Sequence, residues 1–293
     1  MNPVKMKLGV HVSIAGKISE AVPRAESLGC NTIQIFSRNP RIWEQKKLSD
    51  DDALEFREKL KRSNIDPVFI HVPYLTNLAS PDRSVFETSI RYFIEYIREA
   101  EALGIHFLVA HMGSHKKDGE SRGLGRLARA INIIFKRTPK SKVALLLENT
   151  AGSGSWLGYR FSHHQRVIDK IENKGRVGIC LDTCHAFAAG YHIAGKEGLE
   201  SLVAEIEELI GMEKLRLIHL NDSRDPFGSK KDRHADIGKG TLGLKAFESI
   251  VNHPKLKDIP FILETPKMTP EDDTRNLETV RHLCLTPLME LKN

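Results

Sequence analysis

Short β-branched hydrophobic runs alternate with segments of helical periodicity along this chain, and the runs close repeatedly on a histidine or an acid. PVFIH ends at His71, HFLVAH at His111, KVALLLE at Glu148, RVGICLD at Asp182 and PFILE at Glu264, while LRLIHL carries His219 next to its end. Each run has the length of one strand. Two earlier runs, KLGVHV ending near His11 and NTIQIF ending at Phe36, bring the number to eight, with ends 25 to 45 residues apart. That spacing fits a strand, a loop and a helix.

The intervening segments place apolar residues at helical spacing. Residues 18–28 are amphipathic and stop at Gly29. Residues 50–63 group Ala53, Leu54, Phe56 and Leu60, and residues 84–103 align Phe86, Ile90, Phe93, Ile94 and Ile97 ahead of Gly104. The alternation continues through 124–137, 165–174, 198–210, 244–252 and 276–285, and Pro287 closes the last. Eight β/α repeats predict an α/β fold, a (β/α)8 TIM barrel filling residues 1–293 as a single domain. A doubly wound open sheet is the alternative, but it would usually carry a Gly-rich phosphate loop after its first strand, and HVSIAGK lacks that fingerprint.

In a barrel of this kind functional groups gather at the C-terminal ends of the strands, where the histidines and acids fall. A charged acid ending an apolar run is costly unless it finds a partner, so the six pieces of chain predict a shared metal site. Two local motifs extend the set. Asp182-Thr183-Cys184-His185 puts His185 within a turn of the rim, and the loop NDSRDPFGSKKDRHADIGKG contains Asp232-Arg233-His234. In an extended loop, side chains at i and i+2 face the same way. The candidate ligands are then His71, His111, Glu148, Asp182, His185, His219, Asp232, His234 and Glu264. Nine donors are too many for one ion and fit two or three. Their imidazoles favour zinc, manganese or iron over magnesium or calcium. Multi-ion sites are a common solution for phosphoester hydrolysis.

Composition adds a partner and a setting. The 293 residues are 40% hydrophobic with a formal net charge of +6, a balance that suits a polyanion such as nucleic acid as well as it suits plain solubility. No apolar run approaches the ~18 residues of a membrane span, and the start lacks a signal-peptide core. Cys30, Cys180, Cys184 and Cys284 form no CxxC pattern. A reduced cytoplasmic protein without a membrane role is expected, its cysteines small buried hydrophobes and the thiol of Cys184 pointing away from Asp182 and His185.

The chain resembles the endonuclease IV family of zinc-dependent apurinic/apyrimidinic endonucleases. The resemblance rests on GVHVSIAG, FSRNPRIW, HVPYLTNLASP, AHMGSH, LLLENTAGSGSWLG, VGICLDTCHAFAAGYH, HLNDSRDPFGSKKDRHADIGKG and ILETP, spanning residues 9 to 266. It implies a (β/α)8 barrel with three zinc ions, manganese or iron replacing one of them in an open alternative. By position, His71, His111 and Glu148 resemble the ligands of the first ion. Glu148 would also reach a second, held by Asp182, His219 and Glu264, and His185, Asp232 and His234 resemble the ligands of the third. The implied reaction is hydrolysis of DNA on the 5′ side of an abasic site, leaving a 3′-hydroxyl and a 5′-deoxyribose phosphate, with removal of 3′ blocking groups by the same chemistry. Glu148 and Glu264 would orient or deprotonate the attacking water. Arg41 and the Tyr74-Leu75 pair match residues that enter the minor groove in the family, Arg233 is placed for a phosphate, and Lys230 and Lys231 would add non-specific affinity. A monomer bound to double-stranded DNA is the implied assembly.

Two other readings stay open at this level. Glu148, Asp182, His219 and Glu264 alone would also fit a single-metal sugar isomerase or epimerase on the same barrel, and a basic barrel could bind nucleic acid without cutting it. The trio His185, Asp232 and His234, with Arg41 and Tyr74, favours the nuclease. His11 is expected at the rim or beside the ligands. His106, His163, His164, His192, His253 and His282 read as ordinary surface or buried histidines, and Trp43 and Trp156 as rim-loop residues that pack or touch DNA.

Overall fold

The computed structural model describes residues 6–40, 42 and 48–285. Eight parallel strands close into a barrel: β1 (Leu8–Val12), β2 (Ile33–Ile35), β3 (Val68–His71), β4 (Phe107–His111), β5 (Ala144–Glu148), β6 (Val177–Asp182), β7 (Leu215–His219) and, numbered after a small hairpin, β10 (Phe261–Leu263). Neighbours follow chain order round the barrel, and β10 returns to pair with β1. The hairpin, β8 (Asp222–Ser223) with β9 (His234–Ala235), is antiparallel and lies in the segment after β7.

The strand runs lack alternation because both faces are buried. Every residue of β3 and β6 is buried, one face against the helices and the other inside the barrel. Phe69, Val109, Leu146, Cys180, Leu217 and Ile262 form a separate apolar cluster, one residue from each of six strands. This interior plug fixes the direction of the site residues. Side chains at i and i+2 share a strand face, and His71, His111, Glu148, Asp182, His219 and Glu264 each lie two positions beyond a member of the plug. They therefore point into the mouth of the barrel, one layer above its packed floor. On β1 the corresponding floor position is Gly9, where an added Cβ would sit 1.7 Å from the carbonyl oxygen of Thr32. Only glycine permits that approach of β1 to the chain entering β2.

Helices α1 (Ala21–Ser27), α2 (Asp50–Arg62), α3 (Arg83–Leu103), α4 (Glu120–Arg137), α5 (Phe161–Ile168), α6 (Thr183–Ala189), α7 (Lys196–Leu209), α8 (Leu244–Asn252) and α9 (Asp272–Leu285) surround the barrel or cap its rim. Gly104 ends α3 in the left-handed conformation with φ 72°, as expected of a C-cap glycine. Beside earlier starts for α4 at Glu120 and α9 at Asp272, three departures from expectation stand out. α5 begins at Phe161, ahead of the expected 165–174, because the buried Phe161, His164 and Ile168 carry its inward face. The 18–28 segment opens as a turn of 3-10 helix before α1. The third is α6, which periodicity does not reveal: it starts directly from the end of β6 with the Asp182 side chain as its N-cap. No described helix is long and apolar enough to cross a membrane.

Candidate metal centre

The strands bring the nine expected ligands together at the barrel mouth. Donor atoms lie within 4.8 Å of one another in the groups His71, His111, Glu148; Glu148, Asp182, His219, Glu264; and His185, Asp232, His234. Glu148 is the shared member. Its Oε2 is 3.1 Å from Nε2 of both His71 and His111, and its Oε1 is 3.0 Å from Nδ1 of His219 and 3.4 Å from Nδ1 of His185. Asp232 Oδ1 lies 3.0 Å from His185 Nε2 and 3.3 Å from His234 Nε2.

Each of four rings uses one nitrogen on a protein oxygen and turns the other into the cluster. Nδ1 of His71 bonds the Val72 carbonyl at 2.9 Å, Nδ1 of His185 the Asn149 carbonyl at 2.9 Å, and Nδ1 of His234 the Glu264 carbonyl at 3.0 Å. On His219 the roles reverse: Nε2 donates to Oε1 of Gln34 at 2.9 Å, leaving Nδ1 toward the acids. A ring held this way presents a fixed lone pair, the usual arrangement of a metal-binding imidazole. Nε2 of His185 and of His234 are buried, and beside Asp232 Oδ1 neither makes a well-aligned hydrogen bond. Buried polar atoms without partners are rare and call for an ion or water, and here two converge beside a carboxylate. The donor set therefore fits divalent ions of the imidazole-binding kind.

Without an ion the cluster is an ion-pair network, and the titration behaviour follows. Burial alone would lower the histidine pKa values. For His111 this is outweighed by Glu148, and for His185 by Asp182, Asp232 and Glu148, so both rings hold a proton above the usual range. His219 is also raised well above it against its burial, by Cys180, Glu264 and Glu148. Burial opposes ionisation of the acids, but His111 and His219 hold Glu148 well below the ordinary carboxylate range, and His219 and His11 do the same for Glu264. Asp232, with half its side chain exposed, falls to about 2: partial desolvation would raise it, and His185 chiefly outweighs that.

Residues outside the expected list build the supports. Gln34, fully buried on β2, links two ligands: its amide donates to Glu264 Oε1 at 2.6 Å while its oxygen accepts from His219. His11 packs beside it, with Nδ1 3.0 Å from Gln34 Nε2 and 3.6 Å from Glu264 Oε1, the rim position expected of it. Asn149 brackets Asp182 from both backbone directions, and Asn221 donates to Asp182 Oδ2 at 2.7 Å while accepting from the Glu264 amide at 2.8 Å. Position was their only signal: Asn149 follows Glu148 and Asn221 lies two beyond His219. Cys184 departs from expectation. The thiol is buried, but its Sγ lies within 4.8 Å of donor atoms of Asp182 and His234, because α6 starts at Asp182 and turns residue 184 toward the 232–234 segment. Burial pushes that thiol up to about 12, which leaves it a neutral neighbour and a poor ligand beside the two imidazoles.

Of the residues expected to contact DNA, Tyr74 is 63% exposed on the loop after β3, and Leu75 beside it is half-buried. Arg233 is exposed with Nε 3.5 Å from Asp225. Arg41 and Trp43 lie outside the described residues. Trp156 stands edge-on to the ring of His111, centroids 5.9 Å apart.

A family model described as a xylose isomerase-like TIM barrel matches residues 22–284. A probable endonuclease 4 of Halothermothrix orenii is 43% identical over 267 residues, covering 91% of this chain and 96% of the relative. The crystal structure of endonuclease IV from Thermus thermophilus superimposes with a TM-score of 0.83 at 34% identity, covering 94% of this chain and 98% of the other. The chain thus belongs, within the xylose isomerase-like TIM barrels, to the endonuclease IV family. A D-tagatose 3-epimerase-like structure superimposes at 0.72 with 20% identity over 95% of this chain and 97% of its own, and shares the fold alone.

Proposed function

We propose that this protein is a DNA-repair endonuclease that hydrolyses the phosphodiester bond 5′ to an abasic site in double-stranded DNA, leaving a 3′-hydroxyl and a 5′-deoxyribose phosphate. It would also clear 3′ blocking groups. The observation that carries the reading is the third donor group. A sugar isomerase needs only one ion and has no use for His185, Asp232 and His234 converging beside the Glu148 centre. The names of the relatives point the same way.

His71, His111 and Glu148 would hold one zinc ion, Glu148, Asp182, His219 and Glu264 a second, and His185, Asp232 and His234 a third, with manganese or iron able to replace one. When bound, such ions supply a water acidified toward neutral pH and positive charge against the phosphate and the leaving oxygen. The chain supplies the rest. Glu148, buried in the layer above the floor, fixes four imidazoles through its two oxygens. Glu264 is 18% exposed, nearer the mouth than Glu148, and would orient the attacking water and take up its proton. Asp232 and His234 keep their positions through the β8–β9 hairpin. Tyr74 and Leu75, with Arg41, would wedge the duplex open at the lesion, and Arg233 would exchange Asp225 for a phosphate. We place the working enzyme in the cytoplasm, as a monomer.

The test is a labelled duplex with one tetrahydrofuran abasic analogue, cut before and after prolonged chelation. The analogue cannot undergo β-elimination, so a cut reports hydrolysis. A single chelator-sensitive cut on the 5′ side, leaving a 3′-hydroxyl, is expected. Failure to cut by protein that retains its metal would overturn the reading and bring sugar isomerisation forward.

A further inference from the structure

The flank of the barrel carries a second basic surface, outside the metal centre. α3 and α4 lie side by side over a cleft of about 650 Å³ whose walls include Arg83, Arg126, Arg129 and Arg137. Through Arg137 it meets another of about 410 Å³, lined by Arg91 and Arg98. The result is a trough with six arginines and no lysine in its walls. Two acids, Glu87 and Glu95, stand in the same walls, which leaves the lining net positive. Glu87 pairs with Arg83 at 2.8 Å, Glu95 is taken by Arg38 at 3.1 Å and Asp118 by Arg126 at 2.5 Å. Among the described residues no ion pair involves Arg91, Arg98, Arg129 or Arg137.

Two further observations point to an anionic occupant. Arg126 donates through Nε to the Ala79 carbonyl and through Nη1 to Asp118, but its Nη2 is buried with no partner. Arg126 lines the cleft, so its unsatisfied guanidinium N–H lies in a residue that an oxyanion there would meet. The cations are also spread along a line. Arg91 and Arg98 are two helical turns apart on α3, and Arg129 and Arg137 slightly more on α4, about 10–12 Å at 1.5 Å per residue. A compact anion would meet only one end of this row, whereas a nucleic-acid strand offers a phosphate every ~3.4 Å along its axis. Arginine forks suit phosphate recognition. The trough starts at Ser80 and Pro81, on the loop that leaves β3 and carries Tyr74, so it opens beside the barrel mouth.

We propose that the α3–α4 trough is a second nucleic-acid face, gripping the sugar-phosphate backbone of a duplex segment other than the one at the mouth. It takes from the preceding reading the kind of partner and nothing of the chemistry at the metal centre. The test uses the full-length, metal-loaded protein and an undamaged 40-base-pair duplex. Binding is measured across a sodium chloride series for the wild type, for a triple variant Arg91→Gln, Arg129→Gln, Arg137→Gln, and for the same positions changed to lysine. Each lost phosphate contact flattens the slope of log K against log salt by about 0.9. The glutamine variant should therefore lose about 3 from the slope and the lysine variant should restore it, with cleavage of the abasic duplex at saturation unchanged in both. An unaltered slope in the glutamine variant overturns the proposal, and so does displacement of the duplex from the trough by polyglutamate at equal charge, which would assign it to an acidic protein. If the wild type fails to cut abasic DNA while the slope still changes, the trough stands and the reading of the mouth falls.

Discussion

At the scale of single residues, the cluster of candidate ligands was legible because of where strand geometry puts a polar group. His71, His111, Glu148 and Asp182 end apolar runs, and the interior plug two positions earlier turns each into the mouth. Gln34 was not legible in that way. An uncharged amide inside a strand gives no sign of its partners, and only closure of the barrel, with β10 between β1 and β7, brings it to His219 and Glu264. Gln34→Leu should leave the barrel folded but free the His219 ring and one oxygen of Glu264. Metal affinity, read by competition with a chromophoric chelator, is expected to fall about 10–100-fold, the usual cost of losing an outer partner of a ligand. Unchanged affinity would make Gln34 a packing residue.

The same network sets the pH response. His111, His185 and His219 hold protons above their ordinary range in the metal-free protein. Their contribution to stability is complete below the unfolded histidine value near ~6.5 and is lost as pH rises through the folded values. Glu148 and Glu264 are depressed, so their contribution is present above about 4.3 and is lost on acidification. Metal binding runs the other way, since the rings must shed their protons before they can coordinate. Melting of chelated protein from pH 5.5 to 8.5 should show declining stability toward the alkaline end, while metal affinity rises over the same range with proton release. A chelated protein that grows more stable above pH 7 would contradict this assignment of charges.

At the scale of elements, most of the barrel was readable because strand and helix periods alternate cleanly, and α8 has its expected bounds. The elements that escaped serve the site. α6 is short and begins on a ligand, so its first turn is dictated by the Asp182 cap, whose oxygen accepts from the His185 amide at 2.7 Å. The β8–β9 hairpin is invisible in hydropathy because its strands are two residues each and the intervening loop is polar. Asp222 holds it: the buried carboxylate accepts from the amides of Ser223, Gly238, Gly240 and Leu242. Removing a carboxylate with four amide partners strands those donors in a buried setting, at roughly 1–3 kcal/mol for each one left unpaired. Asp222→Ala should release the segment bearing Asp232 and His234, and metal analysis should find about one ion fewer per chain than in the wild type. A full complement would show that the hairpin does not hold that group.

At the scale of the molecule, the three proposed ion sites would couple folding to metal. A ligand present at ~100 times its dissociation constant adds about 2.7 kcal/mol per site. Three such sites in a chain of this size should move the melting temperature by roughly 10 °C or more, so exhaustive chelation is expected to lower it by that amount and added zinc to return it. A shift below a few degrees would leave no room for three structural couplings. Net charge of +6 was legible from composition alone, but the row of arginines lining the α3–α4 trough was not, because it needs two helices to be neighbours.

The most direct measurement of the whole account is a zinc titration of the metal-stripped protein, with bound ion counted and cleavage of the tetrahydrofuran duplex followed in the same samples. Saturation at three ions per chain is expected, with cleavage lagging and reaching its full rate only as the last site fills. Saturation at one ion, or full cleavage before the His185, Asp232 and His234 group is occupied, would contradict a single polynuclear centre built from all nine residues.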